Sequence, residues 1–596
     1  MFSAAPPSHR ERIKQLDAQY EHHTNQRHYL PFVYPWCSFG TYLVIAYLLV
    51  PHSKSAALRK ARYAVWAINT VFAAYIIAHT RGRGAVAAYA VGFVMAWSIV
   101  WTTIVLVVHD GQVDFARIER ASGSTGRVRL QGEETTPARL QGEETTPARL
   151  QGEETTPVRL KGEETTPARL QGEETTPVRL KGEETTPQPS GSLKRGQDES
   201  TLRNRSINEY DVGSKSTDGA EKDHAKGSEL VWQHYPEQPF LERLDWVLDL
   251  MANFRGMAWN WRIPNLPSPP KEVVEQLSRH DDSRNSKIHH SKSININHTF
   301  LSRDVLLGRS FQRFTMGYFA LDLIKILIIH DPFFWTGDLN LPGPSYLPSR
   351  LSASKTFMKS QRLLIAQLAV YWALQTIFQT ASLFFVGILG SDRIGVRGQH
   401  WMYPAEWGTY TTILNRGLSG WWGTWWHQTF RFAFESPGTK LIKQLNMNPR
   451  SLPAKTLQMF IAFSISGFLH ANASHTSIGP TNPLQGPFLF FSLQPLGLIA
   501  QTLSSHFLKE KGITRHMPIP IRQLINFVYV HVWFYYTAPL FVNDAAAGGQ
   551  FLYEPIPFSV LRGLGLGTEE ESWYCWGGRW PGFYRGRYWW ESGIVT

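Results

Sequence analysis

Seven stretches of this chain, 30–50, 63–79, 84–108, 363–390, 456–474, 488–507 and 524–542, are apolar and contain no Asp, Glu, Lys or Arg. A helix that crosses the hydrocarbon core of a bilayer needs about 20 such residues. An eighth stretch, 314–329, is shorter and carries Asp322 and Lys325. A buried soluble helix explains any one of them, but not the whole set. The expected fold is an all-α polytopic membrane protein with about eight transmembrane helices.

Average composition conceals this. A mean hydropathy of −0.24 and 18% charged residues describe an ordinary soluble chain. The polarity, however, is concentrated between about 110 and 310, and the remainder is rich in the 22 Trp, 34 Phe and 22 Tyr. The first apolar run is long enough to span, so it reads as a retained anchor rather than a cleaved signal. Two cysteines, Cys37 and Cys575, make no disulfide framework. Lys and Arg near span ends set orientation. Lys54, Arg59, Lys60 and Arg62 follow the first span, and Lys509, Lys511, Arg515 and Arg522 precede the last. With eight spans these groups share one side, expected to be cytosolic, while Arg562, Arg579, Arg585 and Arg587 count against that orientation.

The polar block contains six near-identical decamers of the form ARLQGEETTP between 128 and 187. A solenoid unit needs 20 or more residues to bury a face, and ten residues with a single Leu cannot. The chain therefore divides into 1–109 with three spans, a disordered repeat-bearing loop at 110–230, and 231–596 with about five spans. Asn-x-Ser/Thr sequons stand at Asn204 and Asn297. The formal net charge of +12 suits membrane headgroups or phosphate-bearing ligands, and no motif points to nucleic acid. From 241 to 253 the chain is amphipathic and leads into Trp259-Asn260-Trp261, which suits a membrane interface.

Two clusters could carry chemistry. The first runs from Leu418 through Trp421-Trp422-Gly423-Thr424-Trp425-Trp426-His427-Gln428 to Arg431. Four Trp with Gly read as a re-entrant or interfacial segment. As a helix it would set Gly423, His427 and Arg431 on one face, either to bind an anion or as incidental members of an aromatic belt. The second, inside the sixth span, is Ser464-Ile465-Ser466-Gly467-Phe468-Leu469-His470-Ala471-Asn472-Ala473-Ser474. A helix there lines up Ser466, Gly467, His470 and Ser474. An ionisable residue in a span is costly and defaults to a functional reading. Histidine is also the side chain best suited to take and return a proton near neutral pH. His531, in the last span, lacks such company and reads as structural.

Together these clusters resemble the membrane-bound O-acyltransferase superfamily, in particular the fungal wax-synthase-like branch. Leu418 to His427 with Arg431 resembles the family's Trp-His motif, and Ser466-Gly467-Phe468-Leu469-His470 resembles the surroundings of its catalytic His. Arg255-Gly256, Leu321-Asp322-Leu323, Phe490-Phe491 with Gln494, and Trp533 with Thr537 and Pro539 are weaker echoes. The chain departs from the family at Ser419, Gly420, Thr424 and Trp425, positions that are often charged there. The resemblance makes 231–596 an acyltransferase domain and implies transfer of an acyl group from acyl-CoA, a co-substrate, to a lipophilic alcohol. It implies no cofactor and no metal. His470 and His427 would be catalytic, and Trp422, Gln428, Arg431, Ser466 and Asn472 would bind substrate. The acyl group expected by analogy is acetyl and the acceptor a terpenoid or other secondary metabolite, in the endoplasmic reticulum membrane. Wax ester synthesis from long-chain acyl-CoA is an alternative. Outside this class, His470 as a proton relay with an Asp322–Lys325 ion pair would suit a transporter, and the decamers alone would suit a non-catalytic scaffold.

Overall fold

A computed structural model describes residues 6–121, 229–279, 300–569, 571–577 and 581–595. The decamers and both sequons lie outside these residues. Residues 6–121 and those from 229 onward form one folded unit. Its elements are almost all helical, and three two-stranded ladders complete it.

Five helices are long and apolar enough to cross a membrane: Ala56–His79, Ala85–Val108, Lys355–Leu389, Leu452–Thr476 and Leu484–Glu510. Numbered in chain order, the helices used below are α1 (His9–Asn25), α2 (Phe39–Leu49), α3 (Ala56–His79), α4 (Ala85–Thr103), α5 (Phe240–Ala252), α6 (Arg303–Ile329), α7 (Lys355–Ser382), α8 (Arg431–Gln444), α9 (Leu452–Thr476), α10 (Leu489–Glu510) and α11 (Ile519–Ala547). The strands are β1 (Leu30–Pro31), β2 (Thr80–Arg81), β3 (Arg117–Arg120), β4 (Leu230–Gln233), β5 (Gly582–Tyr584) and β6 (Gly593–Val595).

The first expected span breaks. Residues 30–31 pair with 80–81 as parallel strands, and the apolar helix that follows runs only from Trp36 to Leu49. Pro31 and Pro35 account for this, since proline lacks the N–H that a helix interior needs and pushes the preceding residue to extended backbone. The stretches 314–329 and 524–542 lie within α6 and α11, long helices whose polar content keeps them out of the apolar five.

Asp322 and Lys325 of α6 do not pair with one another. The Asp322 carboxylate accepts hydrogen bonds from the Ser559 hydroxyl and the Leu561 N–H. Lys325 Nζ donates to the Phe551 carbonyl at 2.9 Å and to His9 Nε2 at 3.1 Å, and lies 3.7 Å from Glu554. Each charge binds another segment, so the internal ion pair expected for a transporter is absent among the described residues.

Folded structure also extends past residue 110. Asp110 meets Arg59 and Arg62, each at 3.2 Å, and His52 at 3.4 Å. β3 pairs antiparallel with β4, with Arg120 opposite Leu230. Arg117 anchors that ladder through Asp245 at 2.6 Å and Asp249 at 3.0 Å on α5. Residues 110–121 therefore stand apart from the loop expected over 110–230, because ion pairs and a ladder hold them. Nor do Trp259 and Trp261 sit at an interface: both are buried, packed with Trp101, Trp246 and Phe432.

α4 is the innermost of the apolar five, with 61% of its apolar window buried against 17–28% for the others. Its sequence explains this, because Ala85, Ala88 and Gly92 form a thin face that neighbours approach closely. α9 lies on that face. The Thr476 hydroxyl donates to the Ala88 carbonyl at 2.7 Å and accepts from the Gly92 N–H at 3.0 Å. A Cβ on Gly92 would lie 2.0 Å from the Asn472 carbonyl oxygen. This seam fixes α9, and with it His470, against the start of α4.

Candidate active site

His470 projects from α9 into a cage built by four helices. Its ring stacks on Phe491 of α10, with centroids 4.8 Å apart and planes 14° from parallel. Phe93 of α4 and Phe541 of α11 meet it edge-on at 5.4 and 5.2 Å. The Tyr89 hydroxyl, also on α4, lies 2.7 Å from Nδ1. That is the only hydrogen bond to the His470 ring among the described residues, so Nε2 is available for chemistry.

Gly467 is one turn before His470, and a Cβ there would lie 3.1–3.4 Å from the ring and backbone of Phe488. Its space is filled by another backbone, and that close approach helps to carry Phe491 to the imidazole. The expected stripe is partly borne out: Gly467 and Ser474 are buried, while Ser466 and His470 are half-buried. Asn472 turns its amide back to the Phe468 carbonyl at 2.7 Å, a bond within its own helix. On the outer face of α9, Phe460, Ile461, Ser464, Ile465 and Phe468 line an open apolar groove of about 340 Å³.

The Trp-rich segment is not one helix. Leu418–Gly420 is helical and Trp421–Trp425 is a π-turn, after which Trp426 is extended (φ −63°, ψ 141°). Gly423, His427 and Arg431 therefore do not share a helix face. Side chains within the segment take over the carbonyls that a helix would have used. Gln428 Nε2 donates to the Trp422 carbonyl at 2.9 Å and to that of Trp426. Arg431 donates to Glu435 at 2.8 Å, Asn265 at 2.7 Å, and the Gly423 carbonyl and Gln428 side chain at 3.1 Å each. The Trp422 indole donates to Gln494 Oε1 at 3.2 Å, and the Trp533 indole shares that acceptor at 3.0 Å. As expected, His531 is structural, its Nδ1 lying 2.8 Å from the Phe527 carbonyl one turn earlier.

His427 sits among Phe378, Trp407, Trp426 and Phe430, and its Nδ1 is buried without a partner among the described residues. Burial first, and then the positive charge of Arg255, push its pKa down to about 4. It is therefore neutral at physiological pH and keeps one free N–H. Arg255 is held by the carbonyls of Pro404 and Ala405 at 3.3 and 3.0 Å. A run of aromatic contacts, His427 to Phe430 to Phe93 to His470, joins the two imidazoles.

Sequence reasoning missed Tyr89. It is the only tyrosine between 84 and 108, and a polar group in a span carries a functional default. Nothing in its spacing linked it to a residue 381 positions later.

Residues 405–493 match the model of the "Membrane bound O-acyl transferase family", a segment that contains both the Trp-rich turn and His470. "Acetyltransferase atnC" of Arthrinium sp is 24% identical over 339 residues, covering 56% of this chain and 69% of that protein. "Acetyltransferase pyr8" of Aspergillus fumigatus is 27% identical over 156 residues, 26% of this chain and 36% of its own length. "O-Mevalon transferase macI" of Penicillium terrestre is 22% identical over 274 residues, 44% and 53% of the two chains. The last two alignments span only about a third to a half of those relatives. No solved structure matches the chain.

Proposed function

We propose that this chain, similar to the membrane-bound O-acyltransferase family over 405–493 and to fungal acetyltransferases, is an integral-membrane acyltransferase that moves an acyl group, acetyl by preference, from acyl-CoA to a hydroxyl of a lipophilic alcohol. The acceptor class is a terpenoid or other secondary metabolite, and the setting is the endoplasmic reticulum membrane. One observation carries the reading: His470 is tethered at Nδ1 to Tyr89 inside an aromatic cage, and its Nε2 is free.

Which nitrogen of a histidine holds the proton follows from the bond made by the other. In the tautomer whose Nδ1–H donates to the Tyr89 oxygen, Nε2 carries a lone pair and accepts the proton of the acceptor hydroxyl. The hydroxyl oxygen attacks the thioester carbonyl, and the C–O bond forms as the carbonyl π bond opens to an oxyanion. Collapse breaks the C–S bond, and the thiolate leaves as CoA with the proton returned from Nε2. General-base help of this kind is worth about 10²–10⁴ in rate.

Three side chains are candidates to meet the oxyanion. Both carbonyl contacts of the Gln428 amide and the Gln494 contact of the Trp422 indole are internal. His427 has a buried ring nitrogen with no partner among the described residues, which favours it. Arg431 is committed to the turn and supports the site by holding its shape. The groove on α9 suits an apolar acceptor arriving from the bilayer.

Membranes bearing the protein are expected to acylate a terpenoid alcohol with labelled acetyl-CoA, and longer acyl-CoAs in the same assay address wax ester synthesis. His470→Ala should lower the rate by about 10² or more. Equal rates for wild type and variant would remove His470 from the chemistry, and no acyl-CoA consumption with any lipophilic alcohol would remove the reaction.

A further inference from the structure

Four arginines are buried among the described residues: Arg81, Arg117, Arg362 and Arg562. Burying a guanidinium is costly unless a carboxylate neutralises it. Three of the four meet that condition. Arg117 has Asp245 at 2.6 Å and Asp249 at 3.0 Å. Arg362 has Asp331 at 2.8 Å. Arg562 has Glu554 at 2.7 Å and Glu571 at 3.0 Å.

Arg81, only 5% exposed, has no carboxylate partner among the described residues. Its Nη1 donates to the Ile77 and Thr80 carbonyls at 3.1 and 2.8 Å. The Tyr29 ring lies 4.7 Å from its central carbon, and its Nε is buried with no hydrogen bond. The nearby carboxylate of Glu21 is paired with Arg83 at 3.5 Å. Arg81 lines a polar pocket of about 540 Å³ with Gln19, Tyr29, His475, Ser477 and Thr481. Histidine, glutamine and hydroxyl side chains are neutral donors, and none of them supplies a negative charge.

We propose that this pocket is an oxyanion-binding site, in which a phosphate or carboxylate group supplies the counter-charge that Arg81 lacks, with His475 as a further donor. The fork of a guanidinium matches either group. His475 follows His470 by five residues on α9, about 7.5 Å along the helix at a rise of about 1.5 Å per residue. The site therefore lies near the end of the helix that carries the cage. The acidic end of CoA, a carboxylate on the acceptor and a phospholipid headgroup offer the same chemistry. The inference goes beyond acyl transfer and is tested without it.

The test uses the full chain in nanodiscs of phosphatidylcholine. Thermal unfolding is followed while inorganic phosphate, adenosine 3′,5′-bisphosphate or succinate is titrated, and again in nanodiscs containing phosphatidic acid. At least one anion should raise the melting temperature of the wild type saturably. The apparent affinity should fall about tenfold or more in Arg81→Gln, the loss of one charge-assisted contact, and largely survive in Arg81→Lys. A response to the soluble anions identifies a free molecule, and a response to phosphatidic acid alone identifies a lipid headgroup. The proposal is overturned if no probe stabilises the wild type, or if Arg81→Gln responds as wild type does. None of these results bears on the assay of His470→Ala, so the two readings fail separately.

Discussion

At the scale of single residues, Tyr89 is the hydrogen-bond partner that holds the His470 ring. Tyr89→Phe keeps the aromatic ring and removes the partner of Nδ1, so the imidazole is no longer held with Nε2 free. The variant should lose about tenfold or more in kcat with KM little changed; a normal kcat would leave Tyr89 as packing only. His427 gives a second expectation, in pH. Its pKa in the folded protein is about 4, while in the unfolded chain it is near 6.5. Between those values the unfolded chain takes a proton that the folded protein refuses. Stability from this group is therefore complete above about pH 6.5 and declines as pH falls toward 4. The melting temperature of the wild type should fall across that window more steeply than that of His427→Gln, and parallel curves would refute the assignment. His470 and His427 were legible in the sequence because each is an ionisable side chain set in apolar company. The role of Arg431 was not, because its partners, Asn265 among them, come from distant segments or from a turn whose shape composition does not dictate.

Between elements, the thin face of α4 against α9 sets His470 beside Tyr89. Gly92→Ala would put a methyl group 2.0 Å from the Asn472 carbonyl, and overpacking of this kind costs about 1–3 kcal/mol. The variant should melt at a lower temperature and lose activity, since the same shift moves Tyr89 away from His470. Gly423→Ala, where nothing lies within 4 Å of the added carbon, should do neither, and equal effects from both would mean the seam is not special. The helices of this seam could be read from 84–108 and 456–474, where long apolar runs leave few alternatives. Two other expectations failed for local reasons: prolines cut 30–50, and Gln428 and Arg431 take the carbonyls that would have extended the Trp segment as a helix. Asp322 and Lys325, three apart on α6, looked like partners in sequence, but Ser559 and Glu554 from a later segment hold them instead.

For the molecule as a whole, the described chain leaves at Ala121 and returns at Glu229 beside a closed ladder, Arg120 opposite Leu230. A connection between ends already fixed together tolerates changes in length, because closure entropy grows only slowly with it. Deleting 128–187 should leave acyl transfer within about twofold of wild type; a large loss would give the decamers a part in the reaction. Elsewhere the fold joins remote segments. Tyr34 bonds to Ile594 through both backbone groups, the Trp36 indole reaches the Ser592 carbonyl at 2.9 Å, and His9 meets Glu571 at 3.4 Å. Translation therefore completes α1, residues 34–36 and α6 long before their last partners exist. Until 554–594 emerges, Lys325 and His9 wait without their carboxylates and the edge of residue 34 stays open. A chain that stops before residue 554 therefore lacks the groups that offset the buried Lys325, so the segment from 554 onward bears on the stability of helices made much earlier.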